Sequence, residues 1–176
     1  MIEFSIHGPF EIPRRDGLIT RNIRNRREFW QSIEQKEQGL PDACGCYVFS
    51  VHGRVWYVGK ASWQSFKKEC FTPHKVMYFN EALHKVTGTP ELIFIAHRTP
   101  ARRFSKPCRQ IQNGIEFLEE ILIGIALRRN RDLLNIKGTK LLQSMVVPGI
   151  LNTQKGTGKR MSVRELRKVL GLSPYK

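Results

Sequence analysis

The sequence is organised around Gly45–Lys60, GCYVFSVHGRVWYVGK, a stretch that predicts two short strands joined by a tight turn. His52 and Gly53 separate two runs of β-type composition, so a hairpin is the natural interpretation. Antiparallel pairing returns the end of the second strand to the start of the first. Tyr47 and Tyr57 are therefore expected at one end of the sheet, where two phenols could flank a single spot.

Hydrophobic periodicity predicts the other elements of a mixed α/β (α+β) chain. The apolar run Glu91–His97 is expected to pair with the hairpin in a small central sheet of three strands, antiparallel or mixed, flanked by helices. Further elements are predicted as a strand over Met1–Gly8 and helices over Thr20–Glu37, Trp63–Cys70, Thr72–Val86, Ile115–Arg129 and Ser162–Leu170. We divide the chain into an N-terminal extension (1–39), a core (40–137) and a basic C-terminal extension (138–176).

The charge balance favours a polyanionic partner. The chain carries 30 Lys and Arg against 15 Asp and Glu, a net charge of +15, which favours nucleic acid first and an anionic membrane second. A basic protein without such a partner is the alternative. Most of the excess lies in Arg98–Ile115, which contains no acid, and in Ile136–Lys176. The candidate nucleic-acid-binding residues there are Arg102, Arg103, Lys106, Arg109, Lys155, Lys159, Arg160 and Arg164.

The four cysteines lack the paired spacing of a zinc site, and no signal peptide is recognisable. Reduced thiols and an intracellular, cytoplasmic location are therefore expected. The longest apolar run, in Ile115–Leu127, contains three glutamates and is too short to cross a bilayer. No membrane partner is expected.

One carboxylate on the helix predicted over Ile115–Arg129 is out of place. A polar stripe recurs there every four residues: Glu116, Glu120, Gly124 and Arg128. Glu119 is not on this stripe, and its helical neighbours are apolar. A carboxylate on an apolar face is costly unless it is paired or bound to a metal. Glu119 is therefore either exposed at the edge of that face or placed inside a site.

The order strand, strand, helix, strand, helix, with two tyrosines in the hairpin and a lone carboxylate later, resembles the GIY-YIG nuclease family. Gly45-Cys46-Tyr47 matches the first tripeptide and Tyr57-Val58-Gly59 the second. The lead-in LPDACGCYVF, the run VWYVGKA, and the helix EFLEEILIGIAL followed by DLLN are also similar, over roughly Leu40–Asn135. The resemblance implies a GIY-YIG-like fold and a metal-dependent endonuclease that hydrolyses DNA phosphodiester bonds.

The resemblance also implies roles for the matching residues. Glu119 would bind one divalent metal, Mg²⁺ or Mn²⁺, which polarises the phosphate and steadies the leaving oxygen. Tyr47 would act as general base or relay the proton of the attacking water, and Tyr57 would orient water or phosphate. A free phenol has a pKa of about 10, so it needs a cationic neighbour, which Lys60 could supply. Asn135 would support the site.

The sequence departs from the family at one position. The family places an arginine on the helix after the second tripeptide, whereas this chain reads SFKKECFTPHK. Depending on the alignment, that position falls on Lys67, Lys68 or Glu69, with Lys75 a further candidate and His74 a helper. Lysine is a point charge and does not replace the bidentate arginine fork on a phosphate.

Two functions follow as hypotheses. The first is a metal-dependent DNA endonuclease of a bacterium or phage, acting in restriction, repair or mobile-element biology. The second is a nucleic-acid-binding module that keeps the GIY-YIG-like fold but has lost cleavage with the arginine. A single domain of this size often needs a second copy to read a specific site, so a homodimer is a further expectation.

Overall fold

The computed structural model describes residues 2–135, 139, 144–151, 153–154 and 157–172. The chain divides into two compact units, Met1–Asn135 and Ile136–Lys176. The elements of the first unit are β1 Glu3–Glu11, α1 Ile23–Lys36, β2 Gly45–Val51, β3 Arg54–Ala61, α2 Phe66–Glu69, α3 Pro73–Lys85, β4 Pro90–Arg98 and α4 Gln112–Leu127. Short 3₁₀ helices cover Leu40–Asp42 and Arg109–Ile111.

The sheet has four strands in the order β1-β4-β2-β3, and every neighbouring pair is antiparallel. The predicted mixture of helices and strands is confirmed, but the prediction of three strands is wrong. β1, placed by sequence in an N-terminal extension, pairs with β4 from Glu3 opposite Arg98 to Glu11 opposite Glu91. A buried apolar strand needs hydrogen-bond partners on both edges, and β2 satisfies only one edge of β4.

The hairpin forms as predicted because its turn residues have the required backbone conformation. His52 and Gly53 have φ of +52° and +68°, as in the two-residue turns that match the twist of paired strands. Val51 pairs with Arg54 directly across that turn. The hairpin thus comprises β2 and β3.

Helices cover both faces of the sheet. On one face, Phe49 of β2 stacks on Phe79 of α3 with ring centroids 4.1 Å apart. On the other face, the Cys46 thiol donates to the backbone carbonyl of Ile115 in α4 at 3.3 Å. Because successive strand residues point to opposite faces, this alternation fixes which side chains of the hairpin meet α3 and which meet α4.

The outer edge of β3 is paired by the chain that follows α4. The Asn130 side chain donates to the carbonyl of Val55 at 2.7 Å. The Leu134 amide donates to the carbonyl of Trp56 at 2.9 Å. The edge strand of the hairpin is therefore covered, which fixes its position and protects it from pairing with another chain.

The second unit contains α5, Met161–Val169, and a 3₁₀ turn at Thr157–Lys159. α5 matches the helix predicted over Ser162–Leu170 within one residue at each end. Val163 and Arg167 are its buried residues, and Arg167 donates to the carbonyl of Gly149. No helix within the described ranges is long and apolar enough to cross a membrane.

All four cysteines lie in the described part of the chain and are free. Cys44, Cys46 and Cys70 are buried, and Cys108 is exposed. Burial raises the pKa of each of the three buried thiols. These three cysteines therefore serve as small apolar core residues.

Candidate active site

Tyr47 and Tyr57 lie on the same face of the hairpin, as the sequence predicts. Tyr47 is opposite Gly59 and Tyr57 is opposite Phe49, and the two tyrosine rings are 6.3 Å apart between centroids. A Cβ at position 59 would run into the Tyr47 ring. The glycine of the second tripeptide is thus the residue that makes room for the tyrosine of the first.

Lys75 is the cation that the fold brings to Tyr57. Its ammonium donates a hydrogen bond to the Tyr57 hydroxyl and lies 4.7 Å from the centre of that ring. Glu69 Oε1 lies 3.6 Å from the same ammonium, and Gln64 donates to the other oxygen of Glu69 at 2.5 Å. A buried cation is costly without a counter-ion, which Glu69 supplies.

Lys60 meets Glu119 rather than Tyr57. Its ammonium is 2.9 Å from Glu119 Oε2 and 3.6 Å from Glu116 Oε1, both on α4. Lys60 follows Tyr57 by three positions, so strand alternation sends their side chains to opposite faces. The cationic contact expected from Lys60 is made by Lys75 instead.

Glu119, for which the sequence left open exposure at the edge of the apolar face or placement inside a site, is half-buried and paired with Lys60. Its side chain is 16% exposed, against 45% for Glu116 one turn earlier, and Glu120 is exposed. The Lys60 ion pair removes part of the cost of holding this carboxylate at the protein surface. One face of Glu119 thus packs on the hairpin while part of it reaches solvent.

The electrostatics keep both phenols protonated. Burial raises the pKa of Tyr47 and of Tyr57, and the negative charges of Glu69 and Glu119 raise them further. Burial acts to lower the pKa of Lys60, but Glu119 and Glu116 together outweigh it, so that pKa is raised as well. The charge of Glu119 therefore acts on both tyrosines, although Glu119 itself pairs with Lys60 on the opposite face of the hairpin.

Tyr47 is fully buried, with 0% exposure. Within the described residues its hydroxyl has no hydrogen-bond partner. Such an orphaned buried hydroxyl costs about 1–3 kcal/mol, and the fold retains it at the end of the hairpin. The hydroxyl is therefore able to take a new partner without giving up an existing one.

Asn135 acts on the backbone of the hairpin. Its side-chain oxygen accepts from the Val58 amide at 2.9 Å, and its side-chain nitrogen donates to the Val58 carbonyl at 2.6 Å. Val58 lies between Tyr57 and Gly59, so these two bonds fix the strand at the site. Asn135 therefore supports the site by holding the backbone between Tyr57 and Gly59 in place, since its side-chain oxygen and nitrogen both bond to Val58.

Lys67 and His74 do not join these clusters. Lys67 is exposed on α2 and lines a surface cavity with Arg27 and Glu34 of α1. His74 is exposed, and its ring packs edge-on to Tyr78 at 6.2 Å. Tyr78 in turn stacks on Tyr57 at 5.5 Å, so His74 reaches the site only through another ring.

Within the described residues no group of three or more His, Cys, Asp or Glu is placed to hold a metal ion. Glu116 and Glu119 are the two carboxylates beside the hairpin that could contribute oxygen ligands to one. Mg²⁺ is commonly bound by one or two carboxylates, with water and substrate phosphate completing its shell. Glu119 and Glu116 both approach the Lys60 ammonium and offer such oxygens.

The basic arm, residues 98–109, is anchored at one end and exposes its charges. The Arg98 guanidinium lies 3.8 Å from the centre of the Phe104 ring and donates to the Arg102 carbonyl at 3.1 Å. The four arm residues predicted to bind nucleic acid are exposed: Arg102, Arg103, Lys106 and Arg109. In the second unit Lys159, Arg160 and Arg164 are exposed, and Lys155 lies outside the described residues.

Sequence reasoning gave Glu69 and Gln64 no supporting role. From the sequence, Glu69 is only one of three positions that can align with the family arginine. A usable signal lies on α3, where Lys75 precedes the core residue Phe79 by four positions and so shares its inner face. A lysine on the inner face of a helix is rarely buried without a partner, so its position predicts an acidic side chain nearby.

Comparison of the chain with protein-family models, with curated proteins and with solved structures finds no match. The candidate site is made by the hairpin, α3 and α4. Its main components are the Tyr57–Lys75–Glu69 contacts on one face of the hairpin and the Lys60–Glu119 pair on the other.

Proposed function

We propose that this protein is a metal-dependent DNA endonuclease of the GIY-YIG type. The observation that carries the proposal is the buried Lys75 ammonium hydrogen-bonded to Tyr57 and held by Glu69. Burying the Lys75 ammonium beside a phenol costs desolvation free energy. Such a cation suits a site that receives an anionic phosphate, because it can stabilise negative charge there. The net charge of +15 favours the same polyanionic substrate.

In the proposed reaction, water attacks phosphorus and the bond to the leaving ester oxygen breaks. Tyr57 accepts a hydrogen bond from Lys75, which leaves its own proton to donate to a phosphoryl oxygen or to the water. Its raised pKa keeps that proton in place. Lys75 supplies positive charge against the charge that develops on the phosphoryl group, in the role of the family arginine.

The remaining groups divide between support and metal binding. Glu119, assisted by Glu116, would hold Mg²⁺ or Mn²⁺, which when bound polarises the phosphate and steadies the leaving oxygen. Lys60 would keep Glu119 oriented and ionised through their 2.9 Å contact. Tyr47, with its unpartnered hydroxyl, would accept one proton of the attacking water and release its own to solvent, and the departing ester oxygen would take up a proton from solvent.

One observation favours the second function, a nucleic-acid-binding module without cleavage. The Tyr47 side chain is fully buried, so a water nucleophile reaches its hydroxyl only if neighbouring side chains move. The four exposed cations of the basic arm would bind phosphates whether or not cleavage occurs. The two functions differ in one measurable property, the metal-dependent breaking of a phosphodiester bond.

The test is nicking of supercoiled plasmid with Mg²⁺ or Mn²⁺ by the wild type, Glu119→Ala and Glu120→Ala. Glu120 is the matched control, because it neighbours Glu119 on α4 and is exposed. Glu119→Ala should slow nicking by at least about 100-fold, since even outer partners of a metal can cost that much. Glu120→Ala should nick like the wild type.

No metal-dependent cleavage of any DNA tested would rule out the enzyme. Salt-sensitive DNA binding that persists in Glu119→Ala would then support the binding module.

A further inference from the structure

Trp63 is exposed while the other two tryptophans are buried. Its side chain is 74% exposed, against 3% for Trp30 and 2% for Trp56. Tryptophan has the largest aromatic surface of any residue, and in folded proteins it is highly buried on average. An indole exposed to solvent beside a candidate site is a candidate contact for a bound ligand.

The loop that carries Trp63 is anchored on both sides. Ser62 and Ser65 are buried at 3% and 7% exposure. Gln64 donates to Glu69, and the Phe66 amide donates to the Ala43 carbonyl at 3.0 Å. With its neighbours fixed, the indole is held outward by the backbone, in a position where it is ready to stack.

Trp63 is joined closely to the proposed site. It follows Lys60 by three residues, which span at most about 11 Å. Its neighbour Gln64 holds Glu69, the carboxylate that lies 3.6 Å from the Lys75 ammonium. The backbone of Trp63 is therefore near the proposed site, and a nucleic-acid strand bound there could bring a base to the indole.

We propose that Trp63 is a stacking platform for an unpaired nucleobase, and that the substrate is DNA with an unpaired base near the scissile phosphate. In a duplex both faces of an interior base are covered by its neighbours, so only a base in a single strand or out of the stack can lie on the indole. Stacking on an aromatic ring is tolerant of base identity. The cleavage part of this inference rests on the proposed function, whereas the binding part does not.

Binding is measured without metal, so that it is independent of cleavage. The probes are a dT oligomer, a fully paired duplex and the same duplex with a single-base bulge. The dT oligomer should quench tryptophan fluorescence in the wild type and not in Trp63→Phe, because Trp30 and Trp56 are buried. Trp63→Ala should bind the dT oligomer and the bulged duplex about tenfold more weakly, and the paired duplex unchanged.

Phe117→Ala is the matched control, since it removes an aromatic side chain that is 65% exposed on α4. It should bind all three probes like the wild type. Equal losses in Trp63→Ala and Phe117→Ala, or an equal loss by Trp63→Ala on paired and unpaired probes, would overturn the inference. Tighter Trp63-dependent binding of an rU oligomer than of dT would overturn the assignment to DNA.

The two sources of an unpaired base are separated by comparing the dT oligomer with the bulged duplex. Tighter binding of either probe by the wild type than by Trp63→Ala supports the platform. Equal binding of both probes by the two proteins overturns it. Platform binding with no nicking under Mg²⁺ or Mn²⁺ would refute the proposed cleavage alone. Cleavage of the bulged duplex that Trp63→Ala leaves unchanged would refute the assignment of unpaired-base DNA as the substrate, without refuting the proposed cleavage.

Discussion

At the residue scale, Lys75 is the side chain on which the proposed chemistry depends most directly. Lys75→Met should slow nicking by about 100-fold or more, because it removes a charge-stabilising donor. Lys75→Arg should keep part of the activity, since a guanidinium retains the charge and can reach both Tyr57 and a phosphate. Plasmid nicking with all three proteins at equal concentration measures the effect.

A stability measurement separates this role from a structural one. Lys75→Met leaves Glu69 half-buried without its cation, at a cost of about 1–3 kcal/mol. Adding Glu69→Gln should restore most of that stability in urea unfolding and none of the nicking. Recovery of activity in the double variant would show that Lys75 acts only by balancing Glu69.

The tyrosines of the hairpin predict how stability depends on pH. Their pKa values are raised in the folded protein, mainly by burial, above the unfolded value of about 10. The unfolded chain therefore loses these protons first as pH rises, so the stabilisation is full below pH ~10 and declines above it. Urea unfolding between pH 8 and ~11 should give a shallower decline in Tyr57→Phe than in the wild type. Parallel curves would contradict the burial effect at Tyr57.

Single residues were predictable where periodicity alone defines their environment. The place of Glu119 off the polar stripe was readable from helical spacing, and the structure has it half-buried. The choice among Lys67, Lys68 and Lys75 was not readable, because it depends on how α3 packs on the sheet. The partner of Lys60 was also missed, because it depends on the face of β3 that α4 covers.

At the scale of elements, β3 is an edge strand whose position is set by Asn135. Asn135→Ala removes two hydrogen bonds to the Val58 backbone and should cost about 1–3 kcal/mol of unfolding free energy. Asn135→Asp keeps the acceptor but places a buried carboxylate oxygen against the Val58 carbonyl, so it should cost at least as much as Asn135→Ala. The exposed Asn113 on α4 is the matched control, and Asn113→Ala should change stability by less than about 0.5 kcal/mol. Equal losses of unfolding free energy in Asn135→Ala and Asn113→Ala would contradict a supporting role for Asn135.

The elements themselves were largely predictable, and their assembly was not. Turn residues and apolar alternation locate the hairpin, β4 and the start of α3 at Pro73 within a residue or two. The pairing of β1 with β4 joins residues that are 80 positions apart in the chain at Glu11 and Glu91 and 95 apart at Glu3 and Arg98. Alternation shows that Met1–Gly8 can be a strand, but it contains no information on which edge the strand will pair with.

At the scale of the whole molecule, the question is whether the net charge of +15 forms a binding surface or an unspecific basic skin. The basic arm concentrates exposed cations in one anchored loop between β4 and α4. Cations that contact phosphates release counterions. Each contact on duplex DNA therefore makes the slope of log K against log salt more negative by about 0.9. Salt dependence therefore counts contacts, which affinity at one salt concentration does not.

Replacing the arm residues Arg102, Arg103, Lys106 and Arg109 with alanine should reduce the magnitude of that slope by up to about 3.6. A second variant makes the same charge change elsewhere, at the exposed residues Arg14, Arg15, Arg21 and Arg27. If the arm is the contact surface, the second variant should keep the wild-type slope and lose affinity only modestly, through weaker long-range attraction. Equal slopes for the two variants, titrated with one duplex from ~50 to ~200 mM salt, would mean that the positive charge acts as a whole and that the arm has no special part in binding.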